Sequence, residues 1–133
     1  MWRTAGRVAA LALLLFTGIV GIDNGIDERS GITNGLQAAV TTGVFVYGVL
    51  GLAAFLAVFR HWRSARWLVI LWGVDITMVA TLAPLAYGGP AVPLVGALAG
   101  GLATALVAYG IWWVTIRSAR TASPSAPASR VSR

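Results

Sequence analysis

LVILWGVDITMVATLAPLAY, Leu68 to Tyr87, is a twenty-residue apolar run with one carboxylate, Asp75, inside it. Its length matches the ~20 residues a helix needs to cross ~30 Å of hydrocarbon. Three further runs accompany it: Ala5 to Ile22 (interrupted by Arg7), Ala38 to Phe59, and Leu94 to Ile116. With its flanking tryptophan the quoted run becomes a span from Trp67 to Tyr87. Helix is the state these runs must take, because an open strand leaves backbone polar groups unpaired in lipid. The fold class is therefore all-α: a polytopic membrane protein with four transmembrane helices in an antiparallel bundle, spanning about 5–22, 38–59, 67–87 and 94–116.

The composition agrees. Of 133 residues, 58% are hydrophobic and 11% charged, against about 25% charged in soluble domains. A soluble fold of this size has no way to hide so much apolar surface. Cysteine is absent, which excludes disulfides, thiolate nucleophiles and Cys-based metal sites. All ten basic residues are Arg and none is Lys. That usage points to GC-rich coding, hence to a bacterium and its inner membrane.

The net charge of +6 does not imply nucleic acid. The arginines cluster at the ends of apolar runs, where they set membrane orientation, and no basic stacking platform is visible. Arg3 and Arg7 precede the first span. Arg60, Arg63 and Arg66 lie between the second and third, and Arg117, Arg120, Arg130 and Arg133 follow the fourth. Only Arg29 falls on the other side. The positive-inside rule then places both termini in the cytoplasm. Trp2, Trp62, Trp67, Trp112 and Trp113 fall near that same interface, and Tyr87 near the outer one.

The start, MWRTAGRVAALALLLFTGIVG, also reads as a signal peptide, with a basic beginning and a short apolar centre. No A-x-A-like site follows the run, and cleavage would leave three spans, so the segment is expected to stay as a helix. Residues 1–120 form the transmembrane domain. TASPSAPASRVSR, Thr121 to Arg133, has little to bury and is expected to be a disordered cytoplasmic tail. Between spans, Asp23 to Gln37, Arg60 to Arg66 and Gly88 to Pro93 read as short links, the last a Gly/Pro turn.

In lipid, helices associate through small residues that let backbones approach. The fourth span carries Gly96, Gly100, Thr104 and Ala108 at intervals of four, with Ala97, Gly101 and Ala105 beside them. This is a helix-packing column, and it also suits a dimer. The third span carries Gly73, Thr77 and Thr81, and Pro84 is expected to kink its outer end.

Asp75 lies eight residues beyond Trp67, about 12 Å deep at 1.5 Å per residue. A carboxylate at the centre of a span costs ~2.5 kcal/mol or more unless relieved. Counting the same depth on neighbouring spans nominates the hydroxyls of Tyr109 and Tyr47 as its hydrogen-bond partners. On a helical wheel, however, Asp75 lies opposite Gly73, Thr77, Thr81 and Pro84. The third helix therefore needs two neighbours, and its Asp75 face has room to meet a second protein.

RHWRSAR, with Arg60, Arg63 and Arg66, suits anionic lipid headgroups at about 1 kcal/mol per Arg. The outer acids Asp23, Asp27 and Glu28 lack an EF-hand pattern, and a solvated loop explains them. One His at the membrane edge, with no nucleophile–base pair, points away from catalysis, and no cofactor motif is visible. GVFVYGVLGLAAF, a basic turn and RWLVILWGV resemble small four-span inner-membrane proteins of bacteria with no assigned function. The chain is also similar in size and topology to the small multidrug transporters. Their essential acid lies in the first span, where this chain has none, so their function does not transfer. The expectation is a non-catalytic membrane protein acting through helix contacts, as an accessory subunit of a larger membrane complex or as a homo-oligomer. A proton- or cation-coupled carrier using Asp75 is the alternative.

Overall fold

The computed structural model describes residues 2–88 and 94–121. Among them are four long helices: α1 (Trp2–Asp27), α2 (Gly35–Phe59), α3 (Ala65–Tyr87) and α4 (Leu94–Thr121). Each contains a stretch long and apolar enough to cross a membrane, and no strand occurs among the described residues. The turn expected over 88–93 and the tail expected over 121–133 lie almost wholly outside them.

The link expected from Asp23 to Gln37 is shorter in the structure. Helix α1 runs on to Asp27, and a single 3-10 turn (Glu28–Gly31) leads towards α2. Packing extends the helix past its apolar run: Gly25 still lies against Phe45 of α2, while Asp23, Asn24 and Asp27 face outward. Helix α2 then starts on an N-cap. Asn34 Oδ1 accepts from Gln37 N at 2.8 Å, and Gln37 Oε1 accepts from Thr33 N at 2.8 Å. One donor orphaned by the helix start, Gln37 N, is satisfied in this way, and the Gln37 side chain ties back the residue before the cap. The similar strings GIDNGID and GITNGLQ thus do opposite things, one ending α1 and the other opening α2.

Helix α2 ends in a Schellman motif. Trp62 N donates to Ala57 O at 2.9 Å and His61 N to Val58 O at 3.3 Å. His61 takes the left-handed position, φ 57°, where glycine is usual and histidine is one of the tolerated exceptions. Arg7 of α1 reaches this cap and lies 2.9 Å from His61 Nε2.

Neighbours pack in the order α1, α2, α3, α4, and a sparse seam between α4 and α1 closes the ring. The closest approach is α1 on α2. A Cβ on Gly48 would meet Ile22 N at 2.6 Å and Gly21 C at 2.8 Å; one on Gly21 would meet Gly48 Cα at 2.8 Å. Backbone touches backbone here, so neither position has space for a side chain. Leu14, Gly18, Gly21 and Gly25 meet Gly51, Leu52, Gly48 and Phe45 in turn; later residues of α1 meet earlier ones of α2.

The main core draws on all four helices: Ala10 and Leu14, Ala54 and Val58, Val69 and Trp72, Ala108 and Ile111. It sits in the half of the bundle that carries Arg7, the α2–α3 turn and Arg117. In the other half α1 and α2 stay close, but α3 has no buried residue beyond Trp72. At its far end α2 and α3 meet through polar groups: Thr41 Oγ1 and Tyr87 OH are 2.8 Å apart, and Gln37 Nε2 donates to Ala86 O at 3.3 Å.

Gly48→Leu is expected to destabilise the bundle by about 3 kcal/mol or more, at or above the upper end of overpacking costs. Gly110→Ala meets nothing within 4 Å and is expected to be neutral or slightly stabilising. Unfolding of the purified variants in detergent measures both, and equal loss at the two positions would refute the close approach.

Candidate functional site around Asp75

Helix α3 shows two working faces. Gly73 lies against Ala108 of α4, where a Cβ on the glycine would stand 3.0 Å from Ala108 Cβ, and Gly101 of α4 lies against Thr81 and the Thr77 carbonyl. On the other side, Val79 and Asp75 lie over Gly43 of α2: a Cβ there would be 2.7 Å from Val79 Cγ2 and 3.7 Å from Asp75 Oδ1. The small face therefore takes α4 and the Asp75 face takes α2. At this level the Asp75 face is not left open for a second protein, contrary to the expectation from the sequence. The missing side chain of Gly43 lets α2 close over the carboxylate.

Closing over the carboxylate does not satisfy it. Asp75 Oδ2 is buried and has no hydrogen-bond partner among the described residues, and neither has Trp72 Nε1, one turn earlier on α3. An unmade hydrogen bond of this kind costs roughly 1–3 kcal/mol, and more for a charged group. The threonines give no help. Thr77 and Thr81 donate back to Gly73 O at 2.7 Å and Thr77 O at 2.9 Å within their own helix, the local bond such hydroxyls favour mid-helix.

The two tyrosines separate. Tyr47 follows Gly43 by one turn of α2, is half-buried against the main core, and lies within electrostatic reach of Asp75. No hydrogen bond joins it to the carboxylate. Tyr109 is not brought to Asp75 at all. It is 58% exposed, stacks on Trp113 with ring centroids 6.3 Å apart, and meets the tilted Trp112 ring at 5.8 Å. Tyr109 follows Ala108, which meets Gly73, so counting residues gave its level along the helix but not its side. Helix α4 docks on the small face of α3, where close approach is possible, and that is the side away from Asp75.

The column Gly96, Gly100, Thr104, Ala108 divides as well. Ala108 is buried against Gly73, and a Cβ on Gly100 would meet the Ala80 carbonyl at 3.8 Å. Gly96 is exposed, and Thr104 donates back to Gly100 O at 2.9 Å. The interface instead uses the adjoining register, with Ala97 fully buried and Gly101 against Thr81. Sequence reading missed the α1 side of the tightest interface. The spacing Gly18, Gly21, Gly25, set beside Gly48 and Gly51, carried that signal.

Arg60, Arg63 and Arg66 are exposed, and Arg66 stacks over Trp67, its Cζ 5.4 Å from the ring centroid. Trp62, Trp67 and Trp113 are exposed as interfacial rings are, whereas Trp112 is half-buried with its Nε1 unpartnered among the described residues. No group of three or more metal-ligating side chains occurs among the described residues. The chain matches no family model, no curated protein and no solved structure.

Because Asp75 gains no hydrogen bond on Oδ2, Asp75→Leu is expected to leave stability unchanged or raise it by about 1–3 kcal/mol. Thermal unfolding in detergent reads this. A loss of more than about 1 kcal/mol would mean that the carboxylate has a stabilising partner.

Proposed function

We propose that this is a non-catalytic integral membrane protein of the bacterial inner membrane. Its four antiparallel helices act through contacts with further helices, in a homo-oligomer or as a small accessory subunit. The arginine distribution supports placing both termini in the cytoplasm. Arg60, Arg63 and Arg66 then lie at anionic headgroups.

One observation carries the reading. Helix α4 packs on α3 and only sparsely on α1, and the small residues Gly96, Ala99, Ala103 and Gly110 face outward. Gly96, Ala103 and Gly110 recur every seven residues, the repeat of a helix seam, with exposed Leu106 between the last two. Small residues give a lipid-facing helix no advantage, whereas they let another helix come close. Asp75 is not needed for that contact.

A carrier of protons or cations is the second reading. It is favoured by the buried, unpartnered oxygen of Asp75, since intramembrane acids are functional by default.

The chain has no cysteine, so Ala103→Cys provides a single probe. It is expected to give a cross-linked dimer, or an adduct of fixed mass, in native membranes, and adding Gly110→Trp should abolish it. Absence of any cross-link, together with loss of proton or cation flux in Asp75→Asn liposomes, would transfer the conclusion to the carrier.

A further inference from the structure

An open groove of about 500 Å³ runs between α3 and α4 on the outside of the bundle. Ile70, Val74, Thr77 and Met78 form one wall, and Ala105 and Tyr109 the other. None of its lining residues is charged. From Val69 to Met78 it extends about 14 Å along α3 at 1.5 Å per residue. Half of a ~30 Å hydrocarbon core is ~15 Å, so the groove is one leaflet long.

Its end nearest the α2–α3 turn is cationic. Arg66 precedes Ile70 by one turn on the same face of α3 and is exposed. Across the groove, Tyr109 stacks on Trp113. Arg117, next in the seven-residue register of Gly96, Ala103 and Gly110, is turned away from the groove, its Cζ 4.2 Å from the Trp113 centroid. An apolar slot of leaflet length, ending at a guanidinium group beside tryptophans, has the chemistry of one lipid molecule.

We propose that this groove binds an anionic phospholipid, with one acyl chain between α3 and α4 and the phosphate at Arg66. Guanidinium forks suit phosphate oxygens. The slot exists because α3 and α4 meet at small residues, Gly73 on Ala108, which draws the axes together and leaves the flanking larger side chains to form walls. The site rests on the membrane-spanning reading of the helices, but on neither the oligomer nor the carrier.

Detergent-solubilised protein is titrated with phosphatidylglycerol or phosphatidylcholine of the same acyl chains, and lipid-bound masses are read by native mass spectrometry. One phosphatidylglycerol per chain is expected to bind in preference to phosphatidylcholine. Arg66→Gln should weaken it roughly fivefold, the worth of one surface arginine. Val74→Trp, which fills the slot from an exposed position, should abolish the preference, and Arg29→Gln at the other end should not change it. Equal binding of the two lipids would overturn the site. So would a loss from Arg60→Gln or from Arg63→Gln as large as that from Arg66→Gln. So too would a Val74→Cys disulfide between two chains, which would place a second protein in the groove. Resistance of the protein to carbonate extraction from native membranes keeps these outcomes separate from a failure of the membrane reading itself.

Discussion

The backbone contact between α1 and α2 at Gly21 and Gly48 sets the spacing for the rest of the bundle. In lipid there is little hydrophobic gain in bringing two apolar helices together, so what remains is dispersion at short range. Short range requires that side chains be absent on both partners. With α1 and α2 held that close, Tyr47 and Leu14 turn into the interior, and α3 and α4 complete the core around Trp72. A larger separation would leave the small core residues Ala10, Ala54 and Ala108 without contact.

Helix α3 is pulled from two sides by different chemistries. Its small face accepts α4 because Gly73 and Ala108 permit approach, and its other face accepts α2 because Gly43 does. Asp75 happens to lie on the second face. The fold thus covers a carboxylate without giving Oδ2 a partner, while every threonine hydroxyl nearby is spent within its own helix. Such an arrangement costs stability, and its retention in so apolar a chain is the physical reason that Asp75 stays a functional candidate. The strongest polar contacts between helices lie elsewhere, at the ends: Thr41 with Tyr87, and Arg7 with His61.

The existence, type and approximate length of the four helices were legible in the sequence. Apolar runs of twenty residues admit one backbone solution in hydrocarbon. The helix ends were less legible, because Asp23 to Asp27 look like a loop by polarity and stay helical by packing. The site was half legible. Asp75 was conspicuous as an acid in an apolar run. Its neighbours could not be read, because depth along the membrane follows from counting residues, whereas azimuth depends on which helix docks on which face. Tyr47 and Tyr109 share a depth class and differ only in azimuth.

The sequence by itself determined the solvent, the number of spans and the positions of the charges, since each follows from the transfer cost of individual residues. Only the tertiary structure decided which of two adjacent registers, Gly96–Gly100 or Ala97–Gly101, became the buried seam. Both columns are small enough to pack, and the choice turns on how α4 crosses α3 above Gly73. The same crossing leaves the glycines of the other register outward and opens the groove at Tyr109. Those features belong to relative helix rotation, which no single helix encodes.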